Sequence, residues 1–123
     1  MTIANIIDPR FIQALQRILT VQVPLAVAAK LHAIKEEIDK IEADYNQIRV
    51  DLITKYGNKN PDGSLSVNEN GTVHLEKEAM ATFSKEMGDL LNKEVQVGKV
   101  TVGDLEHMTV SAVEFFHLKH IIQ

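Results

Sequence analysis

The residues best placed to do chemistry lie near the C-terminal end. Glu114, His117 and His120 follow one another at three-residue spacing. On a helix this spacing puts side chains on one face, so two imidazoles could share a metal ion, with His107 as a third ligand. The competing reading is a polar edge on a terminal helix, where histidine in the last turn suits the helix dipole. No convincing third and fourth ligand stand at a fixed spacing, so the expectation is no bound metal and no other cofactor. His32 and His74 stand alone in the chain and read as surface or hydrogen-bonded residues.

A second candidate is the carboxylate group Glu36, Glu37, Asp39, Glu42 and Asp44. Paired carboxylates do acid–base work only when their surroundings separate their pKa values. These fall on the polar side of an amphipathic helix, which predicts solvated, unperturbed groups. The glycines form no phosphate loop, for neither G-x-x-x-x-G-K nor G-x-G-x-x-G occurs. Ser64, Ser66, Ser84 and Ser111 lack the surroundings of a nucleophile elbow. There is no cysteine, hence no disulfide, thiolate metal site or thiol nucleophile. Phe11, Phe83, Phe115, Phe116, Tyr45 and Tyr56 fall mostly on apolar stripes, where core packing outweighs base stacking. The chain therefore reads as a non-enzyme with no catalytic residue.

Composition narrows the partners. A chain of 123 residues has enough side chains for one core. Its 17 acidic and 13 basic residues give a net charge of −4, which disfavours duplex nucleic acid because phosphate contacts need a basic surface. No apolar run approaches the ~18–20 residues that cross a bilayer. Met1 to Ile7 lacks the basic and apolar regions of a signal peptide, so the expected setting is cytoplasmic, with no membrane partner.

The positioning elements predict a mainly α fold, a helical bundle or helical hairpin within one domain spanning 1–123. Asp8 and Pro9 open a helix over about 9–20, with Phe11, Ile12, Leu15, Ile18 and Leu19 at helical spacing. Thr20 to Val23 and then Pro24 predict a break. From Pro24 to Tyr56 no Gly or Pro intervenes, and Val27, Leu31, Ile34, Ile38, Ile41, Tyr45, Ile48 and Leu52 make one stripe at alternating spacings of 4 and 3. Leu25, Val50 and Ile53 widen it, which favours several neighbours over a two-helix seam. Gly57 is read as the stop. Asn58 to Ser64 are turn formers. Leu65 to Val67, an Asn70-Gly71 turn and Thr72 to Leu75 predict a small exposed β-hairpin over about 64–75. A helix over about 76–92 follows, carrying Ala79, Phe83, Met87, Leu90 and Leu91, with Gly88 as an internal weak point. Val95, Val97, Val100 and Val102 alternate with polar residues in a short extended segment. Ser111 and Glu114 have capping-box spacing for a last helix, over about 110–122, with Val113, Phe116, Leu118, Ile121 and Ile122 on its apolar side. No internal repeat is read.

The succession Pro24-Leu25-Ala26-Val27-Ala28-Ala29-Lys30-Leu31, Tyr56-Gly57, Asp62-Gly63, Asn68-Glu69-Asn70-Gly71 and Glu94-Val95 resembles a family of small phage and prophage proteins. In that family a Pro-led long helix ends at Tyr-Gly and is followed by a polar Asp-Gly hairpin, an acidic helix and a short Val-rich segment. The resemblance spans most of the chain. It implies a viral origin and a host-cell cytoplasmic setting, and it carries over no catalytic residue. In size and helical build the chain is also similar to phage proteins that counter bacterial defence, including oligomers that sequester nucleotide signals.

Three functions follow as expectations. The foremost is a non-enzymatic interaction protein, virion-assembly or accessory, working as a homo-oligomer on the long-helix stripe and meeting a host or virion protein. That stripe is about twice as long as the helix at 76–92 can cover. The alternative is an anti-defence oligomer binding a nucleotide-like small molecule, for which Arg10, Arg17, Lys30 and Arg49 are the candidate cations. A histidine metalloenzyme comes last.

Overall fold

The computed structural model describes residues 1–106 and 108–123. His107, the third candidate metal ligand, lies outside the described residues. Five α-helices occur among them: α1 (Ile3–Ile7), α2 (Pro9–Leu19), α3 (Leu25–Tyr56), α4 (Lys77–Leu91) and α5 (Ala112–Leu118). Single 3-10 turns occupy Gly103–Leu105 and Lys119–Ile121. The chain divides into two compact units, one made of Met1–Glu42 and Lys93–Gln123, the other of Ala43–Asn92. α3 begins in the first and ends in the second.

The first unit holds the core. Asp8 caps α2 by accepting the Arg10 N–H, and Pro9 occupies the first turn. The buried face of α2 carries Phe11, Ala14, Leu15 and Ile18. Val27, Leu31, Ile34 and Ile38 of α3 join the same cluster, with Val100, Leu118 and Ile121. Ser111 and Glu114 form the expected capping box at the start of α5. Thr2 and Asn5 form a second box on α1, a helix the sequence did not suggest. The Val-rich segment lies along the core without forming a strand. Val100 donates its N–H to the Ile121 carbonyl at 2.8 Å and accepts from Gln123 at 2.7 Å, a single parallel bridge between Val100 and Ile122.

The second unit differs from expectation. The β-hairpin expected over 64–75 is not formed; among the described residues there is no sheet, only isolated bridges. Here these are Lys59 with Leu65 and Val67 with Val73. The physical reason lies at Ser66. Its N–H bonds the Asn58 carbonyl at 2.7 Å, while its own carbonyl accepts from His74 at 3.0 Å. With its two backbone groups divided between two neighbours, neither pairing extends into a ladder. The ring closes where Asn58 N–H donates to the His74 carbonyl at 2.8 Å.

Those three residues are eight apart, and the intervening chain repeats. Lys59-Asn60-Pro61-Asp62-Gly63-Ser64-Leu65 and Val67-Asn68-Glu69-Asn70-Gly71-Thr72-Val73 share the pattern Asn-x-Asp/Asn-Gly-Ser/Thr-Leu/Val. Each copy makes the same bonds. Asn60 N–H to Ser64 and Asn68 N–H to Thr72 are both 2.7 Å, and Gly63 to Asn60 and Gly71 to Asn68 are both 2.9 Å. Gly63 and Gly71 have φ of 87° and 83°, the left-handed region that favours glycine. The chain therefore contains an eight-residue internal repeat, contrary to the expectation of none.

Candidate functional site

The histidines of α5 and its trailing turn come together on the first unit. A cleft of about 290 Å³ is lined by Asn5, Asp8, Arg10, Phe11, Phe116, His117, Lys119 and His120. Phe116 and His117 meet edge-on with centroids 5.2 Å apart, and the Lys119 ammonium sits 4.4 Å from the Phe116 ring centre. Burial and the positive charges of the Met1 amino group, Lys119 and Lys99 push the His120 imidazole below its ordinary pKa, with Glu94 opposing. On the opposite wall Arg10 grips Asp8 with two side-chain bonds, Nε to Oδ1 at 3.1 Å and an outer guanidinium nitrogen to Oδ2 at 2.9 Å. These bonds hold the Asp8 carboxyl below the usual carboxylate range and raise Arg10.

Glu114 does not join the histidines. One carboxylate oxygen accepts the Ser111 N–H at 3.1 Å in the capping box, and the other is held by the Arg17 guanidinium. Both partners keep its carboxyl below the ordinary range, with Arg17 the larger cause. Among the described residues no three His, Asp or Glu side chains form a group that could hold a metal ion. His32 lies 2.9 Å from Glu36 one turn along α3. The His74 ring is 3.9 Å from Glu76, while its backbone closes the ring of bonds with Asn58 and Ser66.

The α3 carboxylates have separate duties. Glu36 faces His32, and Asp39 accepts from Lys35 at 2.7 Å. Glu37 accepts the Gly98 N–H at 3.0 Å, pinning the Val-rich segment to α3. The expectation of unperturbed carboxyls fails at Glu42, which partial burial raises, helped by the negative charge of Asp39.

The four candidate cations are not one site. Arg10 and Arg17 line one shallow cleft with Gln13, Ala14, Val113, Glu114 and His117. Lys30 instead bonds Asp104 at 3.0 Å, and Arg49 lies in the second unit.

The eight stripe residues divide in the same way. Val27, Leu31, Ile34 and Ile38 are buried in the first unit, and Ile41 is half-buried against its core. In the second unit Tyr45 and Leu52 are half-buried and Ile48 is exposed. No hydrophobic side chain between Ala43 and Asn92 is fully buried, and α4 buries none of its residues. Phe83, Met87, Leu90 and Leu91 are each only partly covered. One buried residue there is Gly57, where an added Cβ would lie 2.7 Å from both the Ile53 carbonyl and Val73 and 2.9 Å from Leu65. Leu65 and Val73 hold equivalent places in the repeat, so both copies close onto the end of α3. The Tyr56 hydroxyl donates to Glu86 at 2.7 Å, tying α3 to α4 within this unit.

The paired octads are the feature missed in the sequence, although their recurring Asn, Gly and Ser/Thr positions are visible there once aligned. The same segment has calcium-loop spacing at Asn58, Asn60, Asp62, Gly63 and Glu69, with Asn at the first position in place of Asp. Its bonds are those of a self-closed turn. The Ser64 carbonyl, at the calcium loop's backbone-ligand position, accepts from Asn60, and Asp62 accepts the Ser64 N–H and hydroxyl at 3.0 and 2.6 Å. No family model, curated protein or solved structure matches this chain.

Proposed function

We propose that this is a non-enzymatic, phage-type interaction protein that works as a homo-oligomer through the second unit, in a virion-assembly or accessory role. The observation that carries the reading is the missing core of Ala43–Asn92. The later part of α3, α4 and a turn region, with no fully buried hydrophobic side chain, bury too little to offset the entropy of ordering themselves. Ile48, Val50 and Met80 are 41%, 49% and 46% exposed on the same unit. A second copy supplies the apolar surface that this unit lacks, and a closed symmetric pair is the commonest way for like chains to do so. The non-enzymatic part of the reading is supported by the surroundings of the ionisable groups. Among the described residues no polar or charged side chain is fully buried, and the two that partial burial shifts, Glu42 and His120, stand apart on α3 and on the turn after α5.

Light scattering coupled to gel filtration tests the reading. At ~50 μM, a concentration suited to micromolar self-association, the protein should run at a multiple of its 13.8 kDa chain mass. Ile48→Glu with Met80→Glu should return it to one chain mass with its helicity retained, because both side chains are exposed in the single chain. A wild-type chain that stays monomeric at this concentration overturns the proposal.

A further inference from the structure

We propose that the cleft between α1, the start of α2 and the α5 turn is a binding site for a small phosphomonoester. Its polar lining is made almost wholly of donors. His117, Lys119 and His120 stand on one side and Arg10 on the other. The one carboxylate, Asp8, is already taken by Arg10, which leaves the pair neutral while the rest of the wall is cationic or neutral. Asn5 presents its amide NH₂, because its oxygen is spent on the Thr2 N–H and hydroxyl at 2.8 and 2.9 Å. On a chain with net charge −4 this is a local reversal of sign. It continues into an adjoining cleft that shares Lys119 and His120 and adds Lys99.

The size and the ring set the class. About 290 Å³ accepts a phosphate with a small organic group and is at the lower end of small-molecule sites. The exposed Phe116 ring, with Lys119 over it, offers a surface for a planar group beside the anion. Burial is the first cause of the depressed His120 imidazole, and the positive charges of the Met1 amino group, Lys119 and Lys99 add to it, which a dianion would relieve. His120 faces Lys119, Lys99, Glu94 and the Met1 amino group. His117 faces Asp8 and Arg10, with Glu114 on its own helix. The His120 imidazole, held below its ordinary pKa of about 6.5, adds a charge-assisted donor when protonated, so affinity should rise as pH falls below that value.

Amide NMR titration of the whole chain at constant ionic strength tests the site, with inorganic phosphate, AMP and chloride as probes at pH 6.0 and 8.0. AMP should give saturable shifts confined to Asn5, Asp8 to Phe11 and Phe116 to His120, and should bind more tightly at pH 6.0. Lys119→Ala, at an exposed position, and His120→Gln, at a half-buried one, should each weaken AMP at least about fivefold, the loss of one charged hydrogen bond, with the melting temperature of the Lys119→Ala chain unchanged. Equal affinity for phosphate and AMP would overturn the phosphomonoester assignment. Chloride-like shifts, or a Lys119→Ala chain that titrates as wild type, would overturn the site itself.

Discussion

Two carboxylates show how opposite signs arise from one residue class. Asp104 accepts the Thr101 N–H at 2.9 Å and the Lys30 ammonium at 3.0 Å, and these hold its carboxyl below the ordinary range, the backbone bond first. A depressed acid stabilises the fold above its unfolded pKa of about 3.9, and that contribution disappears as pH falls through the folded value. Glu42 is raised, chiefly by burial, so its contribution is complete below the unfolded value and is lost as pH rises through the folded one. Asp104→Asn should therefore lower the melting temperature more at pH 7 than at pH 3. Glu42→Gln should raise it at pH 7 and leave it unchanged at pH 3. Melts of the two variants at both pH values check this, and equal effects of either variant at the two pH values would contradict it. The contacts of Asp104 with Lys30 and of Glu37 with Gly98 join residues 74 and 61 positions apart. Local spacing carries no trace of such partners, which is why the α3 acids read as a uniform solvated face.

At the scale of elements, the long helix was legible because it needs no distant partner to be recognised. An unbroken run from Leu25 with apolar residues at 4- and 3-residue steps has no better conformation. The cap at Asp8 and the box at Ser111 were legible for the same local reason. α1 was not, since it has only five residues and its box uses Asn5 where Glu or Gln is usual. The end of α3 was placed correctly for an incomplete reason. Gly57 reads as a left-handed stop, but its special demand is room for Leu65 and Val73. Gly57→Ala should accordingly destabilise the fold by about 1–3 kcal/mol, the usual overpacking cost. Gly88, inside α4, would meet nothing with an added Cβ, and Gly88→Ala should stabilise by about 0.5–1 kcal/mol. Urea titrations of both variants distinguish the two glycines, and a shift of the same sign in each would refute the argument.

For the molecule as a whole, the division into a cored and an uncored unit governs stability. Leu31, Ile34 and Ile38 share one buried cluster with Ile6, Phe11 and Ile18, whereas α4 has no buried residue. Opening of the second unit should thus require less free energy than global unfolding. Hydrogen exchange at low micromolar concentration should show α4 exchanging well before the first half of α3, with α4 protection growing as concentration rises. Protection of α4 equal to that of Ile34 at the lowest concentration would contradict this. The stripe alone could not reveal the division. Val27 and Ile48 are the same kind of residue at the same kind of position, and only the chain that folds back over one half distinguishes them.

The ring of bonds among Asn58, Ser66 and His74 also acts as a counter. The carbonyls of Asn58 and Ser66 each accept the N–H of the residue eight positions on, and the His74 carbonyl accepts the Asn58 N–H to close the ring. A further copy would arrive with both groups and find neither partner open. A further octad could therefore join only by breaking the closing bond between Asn58 and His74.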